Sequence, residues 1–221
     1  MAARGIASRR EADRLIALGK VFVNGKKAVL GERVKETDEI TLNRPKNFSY
    51  AYYAYHKPAG IVTTNKSEGE KDIVDTLHLP ENVVPQGRLD KDSTGLILLS
   101  NDGRITKPLL EPSFYHEKEY EVTVDKDIRE GDLRKLARGV DIGDYTTRPA
   151  VVKRINTDKF SIILTEGKNR QIRRMCEKLN YHVSSLKRIR VMNIKLGTLK
   201  PGALRKLTSP ELKTFLKSLG L

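Results

Sequence analysis

The chain has 221 residues, and 42 Lys and Arg against 28 Asp and Glu leave it a formal charge of +14. This length predicts one full domain plus a smaller one, and a surface so basic suits a polyanion, with nucleic acid the leading partner. Hydrophobic residues make up 38%, enough for a core, while the lack of a long apolar run or a secretory leader excludes a membrane span and points to a soluble, cytoplasmic protein.

Residues 1–44 read as a unit of their own. Ser8-Arg9-Arg10-Glu11 has the form of a capping box, and Ala12, Leu15 and Ile16 follow at helical spacing until Gly19 can end a helix of about three turns. Val21-Phe22-Val23-Asn24-Gly25-Lys26-Lys27 then sets Asn-Gly between two strand-like runs, the sequence of a tight hairpin. Arg9 and Arg10 fall in the first helical turn, where the helix dipole disfavours each cation by about 0.3–1 kcal/mol. A phosphate partner would offset that cost, and the plain alternative is a solvated charged face. The polar, Pro-containing residues 45–49 read as a linker, leaving 50–221 as the larger domain.

In that domain the tyrosine-rich stretch 50–64 reads as strand on both sides of Lys57-Pro58-Ala59-Gly60. Its tyrosines are either core or stacking platforms for RNA. Leu96-Ile97-Leu98-Leu99 reads as a buried strand, Tyr120-Glu121-Val122-Thr123-Val124 as a strand with one covered face, residues 160–165 as another, and Leu186-Lys187-Arg188-Ile189-Arg190 as a basic alternating one. Helical patterns cover about 128–138, 169–180 and 209–218, the last with Ser209 as cap and Pro210 in its first turn. Strands outnumber helices and no regular helical crossovers join them. The expected class is therefore α+β, with a mixed, largely antiparallel sheet.

Two clusters concentrate reactive side chains. Gly87-Arg88-Leu89-Asp90-Lys91-Asp92-Ser93-Thr94-Gly95 is a loop bracketed by glycines and feeding the buried strand. By itself it is compatible with a Mg²⁺ site, a carboxylate pair, a nucleophile, or a polar turn in which the Asp side chains bond nearby amides. In the second cluster, Glu166 to Leu179, a helical projection puts Ile172, Cys176 and Leu179 on the core stripe, Arg170 and Arg174 on the far side, and Arg173 on the border. From there Arg173 can bury its stem and reach a carboxylate in a cleft, with Arg170 and Arg174 left for phosphates; a snorkelling surface helix is the alternative. Phosphate-loop, dinucleotide, zinc-protease and serine-hydrolase motifs are absent. One cysteine, Cys176, and four scattered histidines argue against a disulfide scaffold or a zinc ribbon. No cofactor and no metal are implied.

Taken together, these segments resemble the pseudouridine synthases that modify ribosomal RNA. The loop 87–95 looks like the family's catalytic motif and Lys57-Pro58-Ala59-Gly60 like its first; His116-Glu117-Lys118-Glu119-Tyr120 matches the segment with its active-site tyrosine, and residues 167–175 match its third motif. The four occur in the family's order, and 1–42 is similar to the ribosomal-protein-S-four type of RNA-binding module. Asn169-Arg170-Gln171-Ile172-Arg173-Arg174-Met175-Cys176 and Arg188-Ile189-Arg190-Val191-Met192-Asn193 are most like members acting on the large subunit. Family members carry an apolar and basic segment ahead of the stretch here numbered 3–8, and Met1 stands in its place. Either the start is trimmed or the module lacks its first turn.

The resemblance implies a pseudouridine synthase fold and a site-specific isomerisation of uridine in ribosomal RNA, with transfer RNA left open as a second substrate. A monomer with no required protein partner is expected. Asp90 would attack the ribose at C1′, assist glycal formation or add to the base, and the sequence does not choose among these routes. Arg173 would pair with Asp90 and keep it ionised, and Tyr120 would pack on the extracted uracil. Leu164 would supply an apolar wall beneath the base. Arg88 would enter the space left by the flipped nucleotide, while Lys168, Arg170 and Arg174, with Arg9 and Arg10 of the small module, would contact phosphates. The competing reading is a catalytically silent RNA-binding or ribosome-assembly factor.

Overall fold

The computed structural model describes residues 1, 4, 6, 7, 9–43, 49–77, 79 and 83–221, and only the backbone of Arg10. In chain order its elements are α1 (Arg9–Ala17), β1 (Val21–Val23), β2 (Lys26–Lys27), β3 (Ile40–Leu42), β4 (Tyr52–Lys57), α2 (Ile73–Thr76), β5 (Val84–Gln86), β6 (Thr94–Ser100), α3 (Thr106–Leu110), β7 (Lys118–Val124), α4 (Glu130–Arg138), β8 (Val151–Arg154), β9 (Lys159–Leu164), α5 (Gln171–Lys178), β10 (Val183–Val191), β11 (Ile194–Lys195), β12 (Leu204–Lys206) and α6 (Ser209–Ser218). Short 3₁₀ turns span Gly103–Ile105 and Pro112–Phe114.

The first three strands form a sheet of their own in the order β2-β1-β3. Ala12 and Leu15 of α1 pack on Val21 and Ala28, as the helical spacing predicts. The Asn-Gly hairpin forms with Val23 opposite Lys26. Asn24 (φ 49°) and Gly25 (φ 77°) both lie in the left-handed region that a two-residue turn of this hand requires. The guanidinium of Arg4 donates to the carbonyls of Lys35, Glu36 and Asp38, closing the loop before β3. The expected Ser8 cap and most of the expected linker lie outside the described residues.

The second sheet has nine strands. Its main path is β12-β4-β6-β10-β7-β9-β8, with β5 also on β6 and β11 on β10. Among the described strands only β6 and β10 pair in parallel, so the expected α+β, largely antiparallel architecture is what forms. One face carries a core in which Ile97, Leu99, Val122, Phe160 and Ile162 meet Leu133 and Leu136 of α4 and Ile172, Met175 and Cys176 of α5. On the other face Ala54, Leu96 and Leu98 meet Leu109 of α3 and Phe215 of α6. Because both faces of β6 are covered, its sequence is a continuous apolar run, whereas β7 alternates.

Three expectations need correction. The stretch 50–64 is strand only before Lys57-Pro58: Gly60 turns at φ 85° and its N–H goes to the carbonyl of Lys91. Residues 61–64 thus leave the sheet, and one isolated bridge, Val62 to Asp72, remains. The cap of α6 is Thr208, one residue before the expected Ser209; its hydroxyl accepts from Glu211 N–H while the Glu211 carboxylate reaches back to the Thr208 N–H. Arg170, projected onto a helix, is instead the left-handed residue (φ 48°) that precedes α5.

Candidate active site

Strand register draws a line of residues across the large sheet. Lys57 on β4 faces Gly95 on β6, Gly95 faces Arg188 on β10, Arg188 faces Tyr120 on β7, and Tyr120 faces Ile162 on β9. The approach of β6 to β10 is close enough that a Cβ on Gly95 would stand 2.2 Å from the carbonyl oxygen of Arg188. Only glycine, here at φ 108°, permits it. The loop 87–93 enters β6 at this line.

Hydrogen bonds from neighbouring segments hold that loop. Thr63 Oγ1 donates to the Leu89 carbonyl at 2.7 Å and accepts from its N–H at 3.0 Å. The ammonium of Lys57, fully buried, donates to the carbonyls of Pro58 at 2.8 Å and Lys91 at 3.2 Å. Buried Arg188 donates through Nε to the Leu96 carbonyl at 2.7 Å and through Nη1 to that of Arg88 at 3.5 Å. The turn closes on itself, Ser93 N–H to the Asp90 carbonyl. A loop so tied presents its side chains without reorganisation, the condition for a preorganised site. Above it lies a cleft of about 600 Å³ lined by Ala59, Gly60, Asp90, Lys91, Asp92 and Arg170.

Electrostatics in the cleft centre on Lys57. Burial pulls its ammonium down to about 8, and the nearby carboxylates of Asp92 and Asp90 work against that fall. Sequence reasoning marked the motif but missed the role of this lysine; a lysine at the inner end of a Tyr-Ala-Tyr-His strand, just before proline, was the available signal. Arg188 and Glu166 were missed as well. Glu166, 2% exposed, accepts from Tyr145 Oη (2.7 Å), Arg148 N–H (3.0 Å) and Gln171 Nε2 (2.7 Å), joining the segment before β8 to the start of α5.

The expected pairing of Arg173 with Asp90 is not the one that forms. Arg173 reaches out from α5 as expected, its side chain 7% exposed, but Nη2 meets Asp92 Oδ2 at 3.0 Å while Nη1 donates to the Val183 carbonyl at 2.9 Å. Asp92 also receives Arg170 at 3.4 Å. Two carboxylates two residues apart cannot be told apart by spacing; the turn between Asp90 and Ser93 directs Asp92 toward α5 and leaves Asp90 on the cleft wall. Arg170 and Arg174, expected to contact phosphates, each have an acidic neighbour here: besides the Arg170–Asp92 pair, Arg174 pairs with Asp144 and donates to the Ile142 carbonyl at 2.8 Å.

The other named residues are placed as follows. Tyr120 is 9% exposed, belongs to the same core as Leu89 and Leu164, and lies opposite Arg188 across β7 and β10. Leu164 ends β9 opposite Lys118. Arg88 is exposed, and among the described residues its guanidinium has no hydrogen-bond or ion-pair partner. Lys168 is exposed, its ammonium 4.4 Å from the centre of the Tyr145 ring. Arg9 is exposed on α1, and the side chain of Arg10 lies outside the description. Among the described residues no three His, Cys, Asp or Glu cluster as metal ligands, and no helix is long and apolar enough to cross a membrane.

Comparison with known proteins agrees with this geometry. Residues 51–178 match the family model of RNA pseudouridylate synthase, and residues 1–40 match that of the S4 domain. The chain is 45% identical over 219 residues to the dual-specificity RNA pseudouridine synthase RluF of Escherichia coli (strain K12), covering 96% of this chain and 75% of that protein. It is 36% identical over 220 residues to the ribosomal large subunit pseudouridine synthase B of Bacillus subtilis (strain 168), covering 95% and 90%. A crystal structure of a pseudouridylate synthase superposes with a TM-score of 0.72 at 27% identity, covering 94% of this chain and 93% of that one. The cleft, its glycine-bracketed carboxylate loop and these matches lead to one conclusion: the chain belongs to the RNA pseudouridylate synthase family, isomerases that convert uridine in RNA to pseudouridine.

Proposed function

We propose that this protein isomerises a uridine of large-subunit ribosomal RNA and that Asp90 carries the reaction. One observation supports the assignment most strongly: Asp90 lines the open cleft on a loop pinned from below, with the buried Lys57 ammonium beside it. The N1–C1′ bond breaks, uracil turns, and C5 bonds to C1′; C5 gives up a proton and N1 gains one, so no redox partner is consumed. A buried cation beneath the loop offsets part of the negative charge that the carboxylates and the RNA backbone bring together. Lys57 supplies that cation without competing for hydrogen bonds, since its own are directed to the Pro58 and Lys91 carbonyls. Arg173, occupied with Asp92, holds the loop to α5 rather than pairing with Asp90 directly.

The uridine must leave its stack to reach Asp90, at a cost of a few kcal/mol. Exposed Arg88, two residues before Asp90, is the group placed to fill the vacated position. Tyr120 packs on the extracted uracil and Leu164 supplies an apolar wall beneath the base, Lys168 adds a cation ahead of α5, and residues 1–44 act as the RNA-binding module. The test is incubation with unmodified ribosomal RNA without added metal, followed by pseudouridine mapping. Wild type is expected to modify one position and Asp90→Asn none, with RNA binding retained. Equal modification by both proteins would refute the role of Asp90, and binding without modification by wild type would leave the assembly-factor reading.

A further inference from the structure

On the connection between α3 and β7 lies an aromatic feature that the reaction does not use. Phe114 and Tyr115, 51% and 60% exposed, are the most exposed aromatic side chains among the described residues. Tyr115 sits in the left-handed region (φ 56°, ψ 29°) at the end of the 3₁₀ turn Pro112–Phe114. One face of the ring is covered by the guanidinium of Arg148, 4.3 Å from the ring centre. That guanidinium is itself fixed, by a 2.8 Å hydrogen bond to the Pro112 carbonyl and a 3.6 Å ion pair with buried Glu166. The exposure of the ring therefore belongs to its other face.

Two chains of contacts lead from this segment toward the cleft. Leu110, just before the 3₁₀ turn, packs where a Cβ on Gly87 would stand, at the start of the Asp90 loop. Glu166, which binds Arg148, also binds Gln171 at the first position of α5. Exposed Arg88 adjoins Gly87 in sequence, and exposed Lys168 and Arg170 precede Gln171. Flat uncharged faces flanked by cations are how proteins hold single-stranded nucleic acid, rings taking bases and cations taking phosphates. A guanidinium behind the ring keeps it from rotating away and adds a cation–π contact.

We propose that the open face of Tyr115, backed by Arg148, is a stacking platform for an unpaired base of the bound RNA next to the cleft. The inference rests on the RNA-modifying function above and deepens it. A protein partner or a lipid surface is the alternative occupant, left standing if RNA binding does not depend on the ring.

The protein has no tryptophan, so Tyr115→Trp places a single reporter at the platform. The probe is the transcribed large-subunit ribosomal RNA fragment that wild type binds most tightly, together with copies in which each unpaired nucleotide in turn is made abasic. Tyr115→Trp keeps a flat ring at the platform, and its emission is expected to be quenched on RNA binding and the quench lost for one abasic copy. Tyr115→Ala is expected to weaken binding roughly 5- to 150-fold, the range of one base–aromatic stack. The slope of log affinity against log salt should not change, because no charge is removed. Binding by Tyr115→Ala within twofold of wild type, a quench that survives every abasic copy, or no quench on a bound RNA would overturn the platform. The two readings fail separately. Modification intact in Tyr115→Trp with a silent indole reporter sinks only the platform, whereas a base-dependent quench on an RNA that wild type never modifies sinks only the isomerase reading.

Discussion

Lys57→Met tests the electrostatic account of the site directly. The substitution keeps the length of the stem and removes a fully buried ammonium. In the folded protein that ammonium titrates at about 8, against 10.5 for an ordinary lysine. Between those values the unfolded chain binds more protons than the folded one, so the stability of wild type rises with pH through this window, as burial of a charge is relieved. One pKa unit corresponds to about 1.36 kcal/mol, so moving from pH 7 to pH 9.5 should stabilise wild type by about 2 kcal/mol relative to Lys57→Met. Activity should move the other way. Neutral Lys57 no longer offsets the negative charge that the Asp90–Asp92 loop and the RNA backbone bring together, and wild-type modification should fall above pH 8 while the protein grows harder to unfold. Urea titrations at several pH values, beside initial rates of pseudouridine formation, measure both. Parallel stability profiles for wild type and Lys57→Met would show that the lysine does not titrate in this window, and the reasoning about the cleft would fail with them.

Gly95→Ala should cost at least about 4 kcal/mol in urea unfolding, because its Cβ would meet the Arg188 carbonyl oxygen at 2.2 Å and its φ is 108°. Gly143→Ala, at φ 102° with open space around it, isolates the backbone part of that cost at about 1–3 kcal/mol; equal losses would remove the argument from close strand approach. Arg173→Ala should cost about 1–3 kcal/mol, chiefly by leaving the Val183 carbonyl without its donor. Asp92→Asn should cost about 1 kcal/mol or less, since its side chain is 50% exposed. Were Asp92→Asn as damaging as Arg173→Ala, the ion pair rather than the carbonyl contact would be the anchor of α5.

What was legible in the sequence is what local periodicity and backbone chemistry determine. The Asn24-Gly25 hairpin, the covered face of β7, the doubly buried run of β6 and the helices at α4, α5 and α6 follow from side-chain alternation, helical spacing and turn residues within a few positions of one another. The glycine-bracketed loop around Asp90 was legible for the same reason, and the role proposed for it came from the order of four motifs. Partner choice was not. Whether Arg173 meets Asp90 or Asp92 depends on the sense of one turn and on the approach of α5, which lies some eighty residues away along the chain. Lys57, Arg188 and Glu166 owe their roles to neighbours from distant strands and loops: a buried ammonium turned to the Lys91 carbonyl, a guanidinium reaching Leu96, a carboxylate joining Arg148 to Gln171. Sequence thus determined which segments form and which residues bear charge. Only the packing of the strands decided which charges meet, because Coulomb forces and hydrogen bonds act on distance in space, and that distance is set by sheet order rather than by residue number.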